Sequence, residues 1–329
     1  MKKIRILGTG SYVPLKKLTN DDIKDMGLDT SDEWIVQRTG IRERRIAEPD
    51  VATSDLAFEA SKKALDMAGL TPDDIDLIVL GTITPDTQCP AAANWLQAKL
   101  NAKRAINFDV TAACSGFIYA LHVASQFIHA GSAKNALVIG AEVMSRVVNW
   151  KDRTTCILWG DGAGAAILTA DNKGHQLLST HVHTDGENGR DLLVPGGGSK
   201  VTPITKESVE RGEHYLNMIG ANASFRVAVR HFVDSIMEGV EHNKLTIEDI
   251  NWFIPHQANF RMFSSIAKSI EVPIERFYIT LDRYGNSSSA SCAIALDEAV
   301  RDGSIKDGNH VCMPVFGGGL TWGSALIRW

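Results

Sequence analysis

Cysteine is scarce in this 329-residue sequence: five residues, widely spaced, odd in number and without a Cys-x-x-Cys pair. That pattern excludes a disulfide framework and a zinc site, and leaves a single reactive thiol as the open chemistry. Long hydrophobic runs are missing too. No apolar stretch approaches the roughly 18 residues of a membrane helix. The N-terminal Met1–Gly8 offers only a short apolar patch broken by Arg5, which reads as a first β-strand of a cytosolic protein with no membrane partner. Nor is charge of one sign concentrated: 34 Lys and Arg stand against 39 Asp and Glu, net −5, with both signs spread along the chain. Nucleic acid is therefore not expected as a partner. What remains, 44% hydrophobic and 22% charged residues, is ordinary globular usage, at a length that suggests two domains.

The chain repeats itself. Leu70-Thr71-Pro72-Asp73-Asp74-Ile75-Asp76 is echoed 175 residues later by Leu245-Thr246-Ile247-Glu248-Asp249-Ile250-Asn251. Each copy follows a helix-patterned stretch, Ser54–Ala68 and Ser224–His242, and runs into an apolar strand. Gly160–Leu168 is echoed by Gly319–Ile327, and the helix ending at Gly131-Ser132 by one ending at Gly303-Ser304, 172 residues on. Three echoes in one order predict two α/β halves, 1–172 and 173–329, meeting near the turn-rich Asp171-Asn172-Lys173-Gly174. Alternating strands and helices predict a mainly parallel or mixed sheet covered by helices.

Cys114, in Ala112-Ala113-Cys114-Ser115-Gly116, falls between a strand-like segment and a helix. Unpaired N–H groups there favour a thiolate, which predicts a lowered pKa; the alternative is a small buried hydrophobe. Adding 172 to Cys114 reaches Asn286, in a turn that also opens a helix, so the two helix starts are expected to face one centre. His256 and Asn259 follow the second apolar strand, at the end where α/β folds place ligands. Phe316-Gly317-Gly318-Gly319 brings bare backbone N–H groups that suit an oxyanion, or simply a tight turn. Gly160-Asp161-Gly162-Ala163-Gly164 lacks the downstream acid of a dinucleotide site, so NAD is rejected.

Taken together, the Cys114, Pro255-His256-Gln257-Ala258-Asn259, Tyr284-Gly285-Asn286-Ser287-Ser288 and Phe316–Gly323 motifs, with Asp32–Arg44 ahead of them, resemble the β-ketoacyl-acyl-carrier-protein synthase III family from end to end. The resemblance implies an α/β thiolase-like fold: two duplicated βαβαβαββ halves in a five-layered α-β-α-β-α arrangement, as a homodimer. It implies that Cys114 takes the acyl group of an acyl-CoA primer, with the N–H groups of Cys114 and Gly318 as oxyanion hole. His256 and Asn286 would then hold the thioester carbonyl of malonyl-acyl-carrier-protein through decarboxylation, with Asn259 and Phe316 in support. CoA enters as a substrate thioester, and neither a cofactor nor a metal is expected. By the same resemblance Trp34 and Arg153 sandwich the CoA adenine, Arg38 lies near its phosphates, and Gly220 or Ala221 lines the pantetheine tunnel. The resemblance also implies a carrier-docking patch at Arg226 and Arg230, spaced i, i+4, with Arg261 and Lys268. In the dimer that the resemblance implies, Cys89 stands where short-chain relatives place a bulky residue that caps the partner's acyl pocket.

Other readings compete. Biosynthetic thiolase needs a second cysteine in a Cys-x-Gly, but Met313 follows Cys312. Hydroxymethylglutaryl-CoA synthase needs a glutamate within Thr82–Asp86, which has none. A synthase-III-like enzyme of secondary metabolism, with another primer or a CoA-bound extender, keeps the same residues, and a non-catalytic partner subunit is the reading from a different class.

Overall fold

The computed structural model describes residues 3–187, 189, 191–201, 203–218 and 221–329. Its large sheet holds nine strands: β1 (Ile4–Tyr12), β2 (Leu77–Gly81), β3 (Ile106–Val110), β4 (Asn135–Glu142), β5 (Gly162–Ala170), β6 (Gln176–Thr184), β7 (Ile250–Phe253), β8 (His310–Gly317) and β9 (Thr321–Arg328). The longer helices are α1 (Thr53–Ala68), α2 (Ala92–Leu100), α3 (Gly116–Ala130), α4 (Ala221–His242), α5 (Phe260–Ser269) and α6 (Ser291–Arg301). Strand order is β7-β8-β9-β6-β1-β5-β4-β2-β3. The join of β1 to β6 is only two residue pairs, Ile4 with Leu177 and Arg5 with Gln176. Two sheets therefore meet at a corner, one from each half of the chain.

Both halves follow one plan. In the first, β2 runs parallel to β3 and β4, while β4, β5 and β1 pair antiparallel. In the second, β7 runs parallel to β8, while β8, β9 and β6 pair antiparallel. Where β3 flanks β2, the second half carries an isolated parallel bridge between Phe253 and Phe277.

Alternation along the strands sorts the layers. Ile78 and Leu80 of β2 pack with Leu56, Ala60 and Leu96 of α1 and α2, outside the first sheet. Leu77 and Val79 turn the other way, onto Phe117 and Leu121 of α3 and Leu296 of α6, which also meet Val311 and Ile327 of the second sheet. Phe232 and Ile236 of α4 and Phe263 of α5 cover Phe253, Cys312 and Leu326. The result is the five-layered thiolase-like arrangement, with α3 and α6 sandwiched between the sheets. Fully buried β2 and β4 explain why their sequences read as unbroken apolar runs.

The duplication sharpens at the starts of the two central helices. Ala113 and Ser288 both adopt left-handed backbone, φ +46 and +50, and each begins a single 3₁₀ turn that leads into α3 or α6. These elbows lie 175 residues apart, so Cys114 is the counterpart of Ser289, and Asn286 precedes its elbow by two residues. The expected pairing of Cys114 with Asn286 at 172 is corrected accordingly. That offset holds at the C-terminal glycines, Gly131 and Gly303, because α6 has 11 residues against 15 in α3 and one further residue, Asp302, stands between α6 and its glycine.

Candidate active site

Cys114, His256 and Asn286 line one cavity of about 130 Å³, together with Phe316, Gly317, Gly318 and apolar side chains of α4 and α5 that include Phe225, Phe232 and Met262. All three polar residues are buried. Asn286 is pinned on both sides. Its N–H donates to Leu158 O at 2.8 Å, its carbonyl accepts from Gly160 N at 3.0 Å, and its Oδ1 accepts from Ser288 N at 2.8 Å. With Oδ1 so engaged, Nδ2 is the group left for a ligand. His256 Nδ1 lies 2.7 Å from Ser291 Oγ, in the first turn of α6. Burial drives the imidazole down to about 3, so the ring is neutral at physiological pH.

The expected low pKa of Cys114 is not found. Burial pushes the thiol up to about 12, with the nearby Glu142 carboxylate adding to the rise; a hydrogen bond from the Ser288 side chain opposes it. The helix start favours the thiolate, but exclusion from water outweighs it. At rest Cys114 therefore keeps its proton, and its use as a nucleophile requires an acceptor.

A second, wider cavity of about 520 Å³ is lined by Trp34, Arg38, Thr39, Asn259 and Arg261. It shares Trp159, Met218, Phe225, Ala258, Met262 and Asn286 with the first, so one channel runs from the surface to the thiol. Trp34 is placed by the short helix Asp32–Thr39, which Ser31 caps by accepting Trp34 N–H at 3.2 Å and Gly40 ends at φ +82. The Arg38 and Arg153 guanidinium carbons lie 4.1 and 5.0 Å from the Trp34 ring centroid. A base stacked between Trp34 and Arg153 needs roughly 7 Å, so the sandwich is closed here. Arg153 leans instead on Asp29, at 3.0 Å.

Asn259 lines the outer cavity rather than the one around the thiol. Its Oδ1 caps α5 by accepting Arg261 N–H, and its Nδ2 donates to Arg38 O at 3.0 Å, a brace between two helices. Phe316 borders the inner cavity beside His231, their ring centroids 6.0 Å apart. Arg226, Arg230, Arg261 and Lys268 are all exposed, on α4 and α5, with Arg261 at the channel mouth and Arg230 within 4.0 Å of Asp234. Cys89 is exposed and touches neither cavity of its own chain. Gly220 lies outside the described residues, and Ala221 opens α4.

Two site residues escaped the sequence reading. Ser288 holds the site from behind: its N–H donates to Asn286 Oδ1 at 2.8 Å, and its hydroxyl donates to Glu142 Oε1 at 3.1 Å. Glu142, at the end of β4 and wholly buried, reaches the Thr82–Thr84 segment that lacks a glutamate of its own. The positive φ required at position 288 left no trace in a serine, and Glu142 closes an apolar strand with no motif around it.

The chain matches the family models for 3-oxoacyl-[acyl-carrier-protein] synthase III over residues 108–186 and for its C-terminal part over 240–329. It is 50% identical over 324 residues to the beta-ketoacyl-[acyl-carrier-protein] synthase III of Caldanaerobacter subterraneus subsp. tengcongensis, covering 98% of this chain and 97% of that one. The Xanthomonas campestris pv. campestris protein of the same name is 50% identical over 325 residues, covering 99% and 98%. Among solved structures, the 3-oxoacyl-[acyl-carrier-protein] synthase III of Aquifex aeolicus superposes with a TM-score of 0.90 at 41% identity, covering 99% of this chain and all of that one. Matched over both halves and along nearly its whole length, the chain belongs to the 3-oxoacyl-[acyl-carrier-protein] synthase III family.

Proposed function

We propose that the protein is an acyltransferase that starts fatty acid synthesis by decarboxylative Claisen condensation. An acyl group passes from acyl-CoA to Cys114, then to malonyl-acyl-carrier-protein, giving 3-oxoacyl-acyl-carrier-protein, CoA and CO₂. The observation that carries this reading is the channel that ends on a thiol with two neutral donors beside it. The Cys114 sulfur attacks the primer thioester, and the backbone N–H groups of Cys114 and Gly318 receive the oxyanion. CoA leaves by the channel, whose Trp34, Arg38 and Arg153 mouth suits an adenine and phosphates. Asn286 Nδ2 and the neutral His256 then donate to the malonyl thioester carbonyl. Loss of CO₂ leaves an enolate held by these donors, and its carbon attacks the acyl-cysteine. A buried neutral histidine suits this step, because a donor that already carried charge would be costly in so dry a cavity.

Arg226, Arg230, Arg261 and Lys268 form a basic face on a chain of net charge −5, and this face suits an acidic carrier protein. Arg261 also lines the channel, so Arg226 is the cleaner probe. Arg226→Glu is expected to raise KM for malonyl-acyl-carrier-protein severalfold and to leave loading from acyl-CoA unchanged. Equal loss in both half-reactions, measured separately, speaks against docking.

A homodimer through β3 is part of the same proposal. β3 is the sheet's terminal strand, and its Ile106 is 56% exposed. A bare edge of this kind invites pairing with a second copy. Cys89, exposed on its own chain, then faces the partner's acyl pocket, where a thiol in place of a ring leaves space for a longer or branched primer. Each methylene accommodated adds about 0.8 kcal/mol. Wild type and Cys89→Phe, given acetyl to dodecanoyl primers with malonyl-acyl-carrier-protein and read by product mass, test function and gate together. Wild type is expected to accept chains beyond four carbons and the Phe variant to lose them. An unchanged profile removes Cys89 as the gate, and no 3-oxoacyl product from any primer removes the function.

A further inference from the structure

Arg44 carries its charge in the interior of the protein, wholly buried and with no ion pair among the described residues. Neutral acceptors hold the guanidinium instead. Nη1 donates to Leu18 O at 3.1 Å and to Asn20 Oδ1 at 2.8 Å, and Nη2 donates to Ile157 O at 2.6 Å. Nε has no acceptor among the described residues. Burying a cation in this way is costly, and an apolar side chain of similar volume would serve the core at least as well. Stability alone does not call for an arginine here, whereas a planar fork that fixes three remote acceptors at once does.

Those acceptors lead to Asn286. Ile157 precedes Leu158-Trp159-Gly160, the segment against which Asn286 is laid: Asn286 N donates to Leu158 O and its carbonyl accepts Gly160 N, in an isolated parallel bridge. Two glycines permit the close approach. A Cβ at Gly160 would strike Tyr284 O, and one at Gly285 would lie 2.7 Å from Leu158 O. Either carbon would also stand 3.2 Å from Arg44 Cβ, so the arginine backs the bridge on both of its strands. The chain around it completes a clamp, because Arg42 N donates to Asp282 O at 3.0 Å and Arg45 O accepts Asp161 N at 2.8 Å. At the far end Asn20 is itself buried and held, its Nδ2 donating to Asp32 Oδ1 and to Ile41 O, each at 2.8 Å. The guanidinium is therefore fixed at both ends.

We propose that Arg44 is a positioning residue for the malonyl half-reaction: by fixing Ile157 O and backing the bridge to Asn286, it sets where Asn286 Nδ2 stands against the thioester carbonyl. The contact of Oδ1 with Ser288 N orients the Asn286 side chain within its own turn. The bridge decides where that turn sits. A donor has to meet the developing oxyanion within about 0.5 Å of its best position, and a misplacement of about 1 Å costs on the order of 100-fold. Cys114 and His256 are placed by other means. Thr321 holds the Cys114 elbow through Ala112 O and Ser115 Oγ, and Ser291 Oγ meets His256 Nδ1. The role thus belongs to decarboxylation rather than loading, and it rests on Asn286 as a donor to the malonyl thioester.

The test is Arg44→Lys, which keeps the charge and loses the fork, with the two half-reactions measured separately. CO₂ release from malonyl-acyl-carrier-protein should fall about tenfold in kcat with KM unchanged, while acyl loading of Cys114 at saturating acyl-CoA stays within about threefold of wild type. The same substitution is then made in Asn286→Ala. With the donor already gone, Arg44→Lys should lower the remaining decarboxylation by less than about twofold. Arg44→Met fills the space with no charge to bury and should show the same split; it takes over if the melting temperature shows that the lysine variant does not fold. Equal losses in loading and decarboxylation, or the same tenfold fall with and without Asn286, overturn the role. Failure of both variants to fold makes Arg44 a core residue alone and overturns it too. Wild-type decarboxylation in Asn286→Ala by itself removes the donor reading, and the positioning role with it.

Discussion

Replacing Cys114 by serine is expected to abolish acyl transfer from acyl-CoA, whereas His256→Ala and Asn286→Ala should still load the acyl group and lose most condensation. The split follows from the cavity. Sγ is needed in both half-reactions, because it forms a bond in the first and releases one in the second. The two donors address the malonyl carbonyl, which is present only in the second. Loss of one preorganised donor to a developing enolate costs on the order of 100-fold or more in rate. Mass analysis of each variant after acyl-CoA exposure reads loading, and CO₂ release reads decarboxylation. No other cysteine is placed to substitute. Cys156 and Cys292 are fully buried, border neither cavity of the channel, and are pushed up to about 11 and about 12. An acyl adduct on either, with Cys114 unmodified, would refute the assignment.

The residues legible in the sequence are those standing where the backbone changes direction. Cys114, His256 and Asn286 each follow or precede a regular element by a few positions, and apolar periodicity locates such junctions well. What was not legible depends on distances between elements remote in the chain. Ser288 and Glu142 are 146 residues apart and meet only because β4 and the second elbow both end between the sheets. Arg44, the last residue of the N-terminal signature, is another case. It is wholly buried with no ion-pair partner among the described residues, donating to Leu18 O, Asn20 Oδ1 and Ile157 O, and burial lowers it to about 10. Its chemical type says surface, yet it fixes Ile157 on the channel wall. The thiol pKa failed for a related reason. A helix start can be read along the chain, whereas the depth at which Sγ is buried is a property of the assembled layers.

Gly317→Ala is expected to abolish primer loading almost as completely as loss of the sulfur, although it removes no chemical group. The three consecutive glycines answer three separate demands. A Cβ at Gly317 would lie 2.7 Å from Cys114 N and 3.2 Å from both Cys114 Cβ and Ser115 N. One at Gly318 would meet Leu192, its side chain and backbone, at 3.1 to 3.3 Å, and Gly319 sits at φ +141, where side chains are strained. Only the first encroaches on the amide proposed to receive the oxyanion. The methyl cannot be relieved by a rotamer change, because backbone stands on both sides. Thr321 holds the elbow in place, its hydroxyl donating to Ala112 O at 3.0 Å while its carbonyl accepts Ser115 Oγ at 3.2 Å. The alternatives are to push the Cys114 amide away from the oxyanion or to open β8 from the elbow, and either misplaces sulfur and donor together. A loss of about 100-fold or more in acyl loading follows from the value of one oxyanion donor. Gly318→Ala, pressing on the less constrained Leu192 loop, should lose less. Loading rates and melting temperatures measured for both variants separate the two sites. A folded Gly317→Ala protein that loads acyl groups within about threefold of wild type would show that this close approach serves packing alone, and that the oxyanion is received elsewhere.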